Sequence, residues 1–360
     1  MRVLHCPGDV GGNAWTLSRA ERKLGIESDV MVFASHWYGY PNDIDLRLKD
    51  RSFCSQISTL SSFFLRALRH YDLFHFNFGT SLFSHFPGPL NLLNQADLPI
   101  LKRHKKGIVV TYQGCDARQK SYCIQHFPVC ACTEPDCYGG LCDPRSDTKR
   151  AQKIARFNRY ADRIFAVNPD LLWVLPARAQ FLPYTTVDLD EWRPVQKSIS
   201  DGRRFLILHS PTQRAVKGTR FIQQAVATLQ VKYPEVELKM VEGIPHDQVR
   251  ELYAEADLVI DQLLLGWYGG FAVEAMALGK PVICYIRQND LGFLPAQMKT
   301  DLPIINADPG NLAEVLEGVL QTRSLLPQVG EKSRLYVETW HDPDKIALQM
   351  QRTYEGILQC

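Results

Sequence analysis

The chain has 360 residues, 45% of them hydrophobic and 22% charged, with no low-complexity stretch; that is material for two packed cores of ordinary size and argues against a disordered or fibrous protein. A formal charge of only +2 argues against a nucleic-acid binder driven by phosphate neutralisation. No run reaches the roughly 18 apolar residues of a membrane span, and the opening MRVLHCPGDVGG reads as strand and loop, not as a signal peptide, so a cytoplasmic protein is expected. Residues 1–196 carry 24 basic against 19 acidic side chains and residues 197–360 carry 17 against 20. The basic first half suits an anionic acceptor or peripheral contact with a membrane surface, or is an ordinary solvated surface.

In chain order, Met1 to Cys6 has the composition of a buried strand, Pro7 to Asn13 of a turn holding Gly11 and Gly12, and Ala14 to Leu24 the spacing of a helix. A second strand from Ser28 to Ala34 completes a β-α-β unit, which puts the Gly11-Gly12 loop where open parallel sheets bind ligands. Leu60 to Leu68 is helical, Leu73 to Phe78 alternates like a strand, and Gly107 to Tyr112 is another strand, followed by the turn Gln113-Gly114-Cys115-Asp116. A cysteine-rich excursion runs from Cys123 to Cys142. Helical periodicity resumes over Lys149 to Ala161, a strand covers Ile164 to Val167, and Pro169-Asp170 opens a helix carrying Leu171, Leu172 and Leu175. Phe181 to Tyr184 is a short strand. The polar stretch Gln196 to Arg204 is the expected linker.

Strands are expected again at Phe205 to His209, Val236 to Val241, Leu258 to Ile260 and Pro281 to Tyr285, with a late edge strand at Ile304-Ile305. Between them lie helices at Gly218 to Val231 and His246 to Ala256. Helices at Asn311 to Gln321, Glu331 to Glu338 and Asp344 to Leu358 close the chain. Two successive β/α halves joined by a polar hinge imply two Rossmann-like domains facing a central cleft.

Two stretches of the second half carry chemistry. In GWYGGFAVEAMALGKPVI, Gly266 to Ile283, Gly269 and Gly270 let the backbone approach a ligand, and a helix opening near Phe271 offers its positive end to an anion. Glu274, in the expected first turn, either accepts from sugar hydroxyls or is a helix-start carboxylate. In SPTQRAVKGT, Ser210 to Thr219, Arg214 and Lys217 stand three residues apart ahead of a helix, which suits a diphosphate or a solvated basic loop.

Together, RAVKG, VEGIPHDQVRELYAEADLVIDQ and GWYGGFAVEAMALGKPVI resemble the donor-binding domain of GT-B glycosyltransferases, specifically family 4, and the resemblance extends over most of the chain. It implies an α/β GT-B fold: an acceptor-side domain over residues 1–196 with a cysteine-rich insertion at 115–143, a nucleotide-sugar domain over 197–340, and a terminal helix over 341–360 crossing back to the first domain. It further implies transfer of a hexosyl group from a UDP-, GDP- or ADP-sugar to a small-molecule, lipid or glycan acceptor, with retention and without a catalytic metal. Carried over by position, Arg214 and Lys217 would hold the donor diphosphate, Glu274 the ribose hydroxyls, and the amides of Gly269, Gly270 and Phe271 the sugar and phosphate. Gly11 and Gly12 would let the first domain close over the same diphosphate.

The chain departs from that pattern twice. The family pairs Glu274 with a second glutamate eight positions earlier, where this chain has Gly266, and Gln113 stands where the family often has histidine. An amide hydrogen-bonds a hydroxyl but is no base near neutral pH. Asp116 and Arg118 are then the candidates for acceptor binding or proton removal, or they are an Asx-turn carboxylate and its partner. His75 either touches substrate or fills the core.

Cys123, Cys130, Cys132, Cys137 and Cys142 lie within twenty residues, among too few apolar side chains for an independent core. Zinc held by four thiolates, with His126 or Cys115 as substitutes, is the simplest account; an iron-sulfur cluster uses similar ligands, and free or redox-active thiols are the alternative. Two other readings follow: a nucleotide-sugar-binding protein without chemistry, for which Gly266 and Gln113 speak, and a metal-dependent interaction module built on the excursion.

Overall fold

The structure is a computed structural model and describes residues 1–84, 93–140, 142–194 and 204–359. The expected linker falls mostly at 196–203, outside the described residues. Two compact units result: Met1–Gln119 with Arg145–Thr186 and Pro343–Cys360, and Lys120–Pro144 with Val187–Asp342.

The first unit is built on a seven-stranded parallel sheet of β1 (Arg2–Cys6), β2 (Glu27–Val32), β3 (Ile44–Asp45), β4 (Leu73–Asn77), β5 (Gly107–Tyr112), β6 (Arg163–Ala166) and β7 (Gln180–Phe181), in the order β3-β2-β1-β4-β5-β6-β7. Winding reverses between β1 and β4, so the loops that follow those two strands flank the crevice where such sheets take ligands. In β4 the alternation of LFHFN divides two buried faces, not core from solvent. Phe74 and Phe76 join the core with Phe64, Val110 and Phe157, while Leu73 packs opposite with Val3, Val109, Phe165 and Tyr354. The second face is covered by the terminal helix, Pro343–Leu358, whose Ile346, Ala347, Met350 and Tyr354 form one buried stripe. That helix returns to the first unit, as expected.

The second unit has a five-stranded parallel sheet of β8 (Phe205–His209), β9 (Val236–Met240), β10 (Leu258–Ile260), β11 (Val282–Cys284) and β12 (Ile305–Asn306), in the order β12-β11-β10-β8-β9. Its switch point lies between β8 and β10. Strands and most helices fall where hydrophobic periodicity places them. The two-residue strand β3 was not expected, being too short to carry a period. The stretch after Pro169 is a single 3-10 turn, Pro169–Trp173, and not a helix reaching Leu175.

One boundary differs from expectation. The excursion was assigned to the first domain as an insertion at 115–143, but Lys120–Pro144 groups with the second unit. Backbone contacts hold it there: the Ala131 amide donates to the Leu264 carbonyl at 3.0 Å and the Arg287 guanidinium to the Val129 carbonyl at 3.1 Å. That guanidinium also sits 3.7 Å over the Phe127 ring, and Glu134 pairs with Arg220 at 2.9 Å.

Candidate functional site

In the second unit the expected donor residues gather on the loops after β8 and β10. Arg214–Lys217 is itself a short helix, capped by Gln213, whose side chain accepts from the Val216 amide at 2.9 Å. Lys217 is buried. Its ammonium donates to Asp261 Oδ1 at 2.9 Å and to Gln262 Oε1 at 2.5 Å. Asp261, wholly buried, also accepts from the Gly269 amide through Oδ2 at 2.6 Å, at the start of the helix Gly270–Ala277. The lysine and the helix-start amide thus come together as expected, but around a carboxylate of the chain itself.

Arg214 lies at the surface, where Nε and Nη2 meet Glu242 at 2.9 and 2.5 Å in a two-pronged pair that holds the Glu242 carboxyl below its usual range. Behind this loop His209 is buried between the Ile260 carbonyl at 2.7 Å and Thr219 Oγ1 at 2.9 Å, and burial pushes its pKa down to about 4.

Glu274 is the fifth residue of the Gly270–Ala277 helix, so it stands in the second turn and not, as expected, in the first. The helix starts one residue earlier because Gly269 supplies the extended cap. The first-turn dipole explanation of this carboxylate falls with that shift, because the effect is confined to the first turn. Glu274 is buried, and its Oε1 is 2.8 Å from His246 Nε2. The histidine ring in turn lies 5.6 Å from that of Trp192.

Gly266, where the family has its second glutamate, has φ +80, and a Cβ there would come within 2.5 Å of Arg287 Nη1. The space is taken by this buried guanidinium, whose Nη1 donates to Asp290 at 2.7 Å while its Nε has no partner among the described residues. A glutamate at 266 would have to take a left-handed backbone conformation and displace the Arg287 guanidinium.

In the first unit Gly11 and Gly12 have φ of 67 and 71 at the carboxyl end of β1. The helix they introduce is already capped: Asp9 accepts from the amides of Ala14 and Trp15 at 2.9 and 3.2 Å. At the end of β5, Asp116 folds back to accept from the Gln113 and Gly114 amides, the latter at 2.6 Å, and burial raises its pKa to about 6. Asn168 Nδ2 holds the Gln113 carbonyl at 2.6 Å, yet the buried side-chain amide of Gln113 finds no partner among the described residues at either atom. Such an amide is costly unless something binds it. Arg118 is buried in a pair with Asp170, 2.7 Å from Nε to Oδ2. His75 lies wholly buried between Tyr354 Oη at 2.8 Å and Thr111 Oγ1 at 2.7 Å, and burial keeps it neutral by lowering its pKa well below the usual value. It belongs to a core network in which Glu21 accepts from Tyr354 and Ser28 and meets His5.

The five cysteines do not form one centre. Cys123, Cys130 and Cys132 pack with Phe127, while Cys137 joins Ala131, Val216 and Leu264, and Cys142 is half-buried. Among the described residues no three His, Cys, Asp or Glu side chains converge as metal ligands. The expected zinc site is thus not formed by these residues. What holds the excursion is its apolar side chains and its hydrogen bonds to the second unit. His126, a possible substitute ligand, stacks on Tyr122 at the surface.

Sequence reasoning missed Asp261, Arg287 and His246. Asp261 is not aligned with the family's glutamate, His246 lies inside VEGIPHDQVRELYAEADLVIDQ but at no position to which the resemblance gives a role, and Arg287 lies beyond the last motif. Among the described residues no helix is long and apolar enough to cross a membrane.

No family model matches the chain, and no curated protein matches it in sequence. In structure it is similar to sucrose-phosphate synthase from Thermosynechococcus elongatus, with a TM-score of 0.63, 16% identity and 100% of each chain covered. It is similar to HepE from Anabaena, solved in complex with UDP-glucose, with a TM-score of 0.63, 13% identity, and 99% of this chain and 100% of that one covered. A putative UDP-N-acetylglucosamine 2-epimerase from Listeria monocytogenes follows at a TM-score of 0.55 and 15% identity, with 98% and 94% covered. With two parallel β/α units and a terminal helix returning to the first, the chain has the GT-B fold.

Proposed function

We propose that the chain is a glycosyltransferase that moves a hexosyl group from a nucleotide-diphosphate sugar to an acceptor held by the first unit. The observation that carries this is the gathering of Lys217, the Gly269 amide and, on the helix it opens, Glu274 on the loops after β8 and β10. They suit a nucleotide diphosphate: a cation and the positive end of a helix for phosphate oxygens, a carboxylate for ribose hydroxyls, although the Gly269 hydrogen itself is already given to Asp261. Structural neighbours solved with UDP or UDP-glucose support the choice of donor class. The bond from the anomeric carbon to the diphosphate breaks, its electron pair leaving with the diphosphate, and Lys217 and Arg214 stabilise the charge that develops there. The acceptor oxygen attacks the same face, giving retention, and its proton passes to a donor phosphate oxygen or to Asp116. No metal is needed for that charge balance.

A second reading, nucleotide-sugar binding without chemistry, is favoured by Arg287 filling the place of the family's second glutamate. One experiment addresses both: thermal shift with UDP, GDP, ADP and their sugars, followed by assay of transfer and hydrolysis. A donor that raises the melting temperature, loses that effect in Glu274→Ala, and is turned over supports the transferase. Binding without turnover supports the second reading. No shift with any nucleotide overturns both.

A further inference from the structure

The loop at residues 36–42, HWYGYPN, lies outside everything assigned above. It follows β2, which pairs in parallel with β1, so it emerges at the same edge of the sheet as the Gly11-Gly12 turn. Its rings stack on one another. Trp37 lies 3.9 Å from Tyr38, His36 stacks on Tyr38 at 4.8 Å, and Tyr38 is 6.1 Å from Tyr40. Tyr40 closes the row beneath the glycine turn, where a Cβ on Gly12 would come 3.3 Å from its ring. Trp37, a residue that normally buries its ring, is 54% exposed.

The loop is pinned. The Ser35 hydroxyl donates to Asp45 at 2.8 Å, Asn42 donates to Ser35 Oγ at 3.1 Å, and the Gly39 amide closes a turn on the His36 carbonyl at 3.0 Å. A ligand meeting these rings would pay little for ordering them. The chemistry on offer is also specific: between Ser35 and Asp43 there is no Leu, Ile, Val or Met, and apart from Pro41 the side chains are ring faces bordered by hydroxyl, imidazole and amide groups. An acyl chain needs aliphatic walls, which are missing from this loop. A pyranose ring has polarised C–H groups on one face, which suit the negative face of an aromatic ring, and hydroxyls at its edge for the polar border.

We propose that residues 36–42 form an acceptor subsite that stacks a pyranose ring of a glycan, with the exposed Trp37 as its platform and Tyr38 stacked behind it. This deepens the transferase reading and rests on it for the word acceptor. The test is calorimetric titration of the full chain with maltopentaose, cellopentaose and chitopentaose. At least one should bind, and Trp37→Ala and Tyr38→Ala should each weaken it about tenfold while Trp37→Phe stays within about threefold. The thermal shift given by the nucleotide-sugar should be unchanged in Trp37→Ala. No binding of any of the three sugars, or equal binding by Trp37→Ala, overturns the subsite. Failure of the donor to bind wild-type protein is a separate outcome: it removes the transferase reading, and with it the acceptor role.

Discussion

At the scale of single residues, the donor site is decided by where charge is neutralised. Lys217 serves the ligand only while it also serves Asp261, so Lys217→Ala should do two things at once. Donor binding is lost, and a buried carboxylate is left unpaired at a cost of about 3–5 kcal/mol. Adding Asp261→Asn to that variant should restore most of the stability in denaturant titration and none of the donor binding; a single variant as stable as wild type would refute this coupling. Asp116 is expected to show the opposite sign. Its carboxyl titrates near 6 in the fold against 3.8 ordinarily, so it weakens the protein by an amount that is absent below 3.8, grows as pH rises, and is complete above 6. Asp116→Asn keeps an oxygen for the Gln113 and Gly114 amides and should therefore be more stable than wild type at pH 7.5, by on the order of 3 kcal/mol, and equal to it near pH 3.5. If Asp116 takes the acceptor proton, the same variant will be stable and inactive.

At the scale of elements, the excursion and the terminal helix are both secured by buried polar groups reaching across large sequence distances. Arg287→Ala removes the stack on Phe127, the bond to the Val129 carbonyl and the partner of Asp290. Amide exchange across residues 120–140 should rise sharply, with Arg287→Lys intermediate because an ammonium keeps the charge but loses the planar fork. Protection equal to wild type would mean that the apolar contacts of the excursion suffice. In the terminal helix, Tyr354→Phe leaves Glu21 and His75 each short of a partner inside the core. A loss of about 1–3 kcal/mol in denaturant titration is expected, with the fold retained.

At the scale of the whole molecule, the order of elements was legible because each strand and helix carries its own period, and that order was enough for two parallel β/α units. The donor loops were legible for the same reason: glycines and cations at the carboxyl ends of strands announce an anion site without knowledge of packing. The cysteines misled, because five thiols in twenty residues resemble a ligand set whether or not their side chains converge. Here Phe127, Ala131 and Leu264 divide four of them between two apolar clusters, and Cys142 belongs to neither. What the sequence by itself determined is the fold, set by local pattern, and the loops that carry the proposed donor residues. Only the tertiary structure decided which charges are spoken for. Asp261 lies 44 residues from Lys217, and Arg287 fills the space beside Gly266 from the far side of β11. Neutralisation of a buried charge depends on distance in space, which spacing along the chain does not encode.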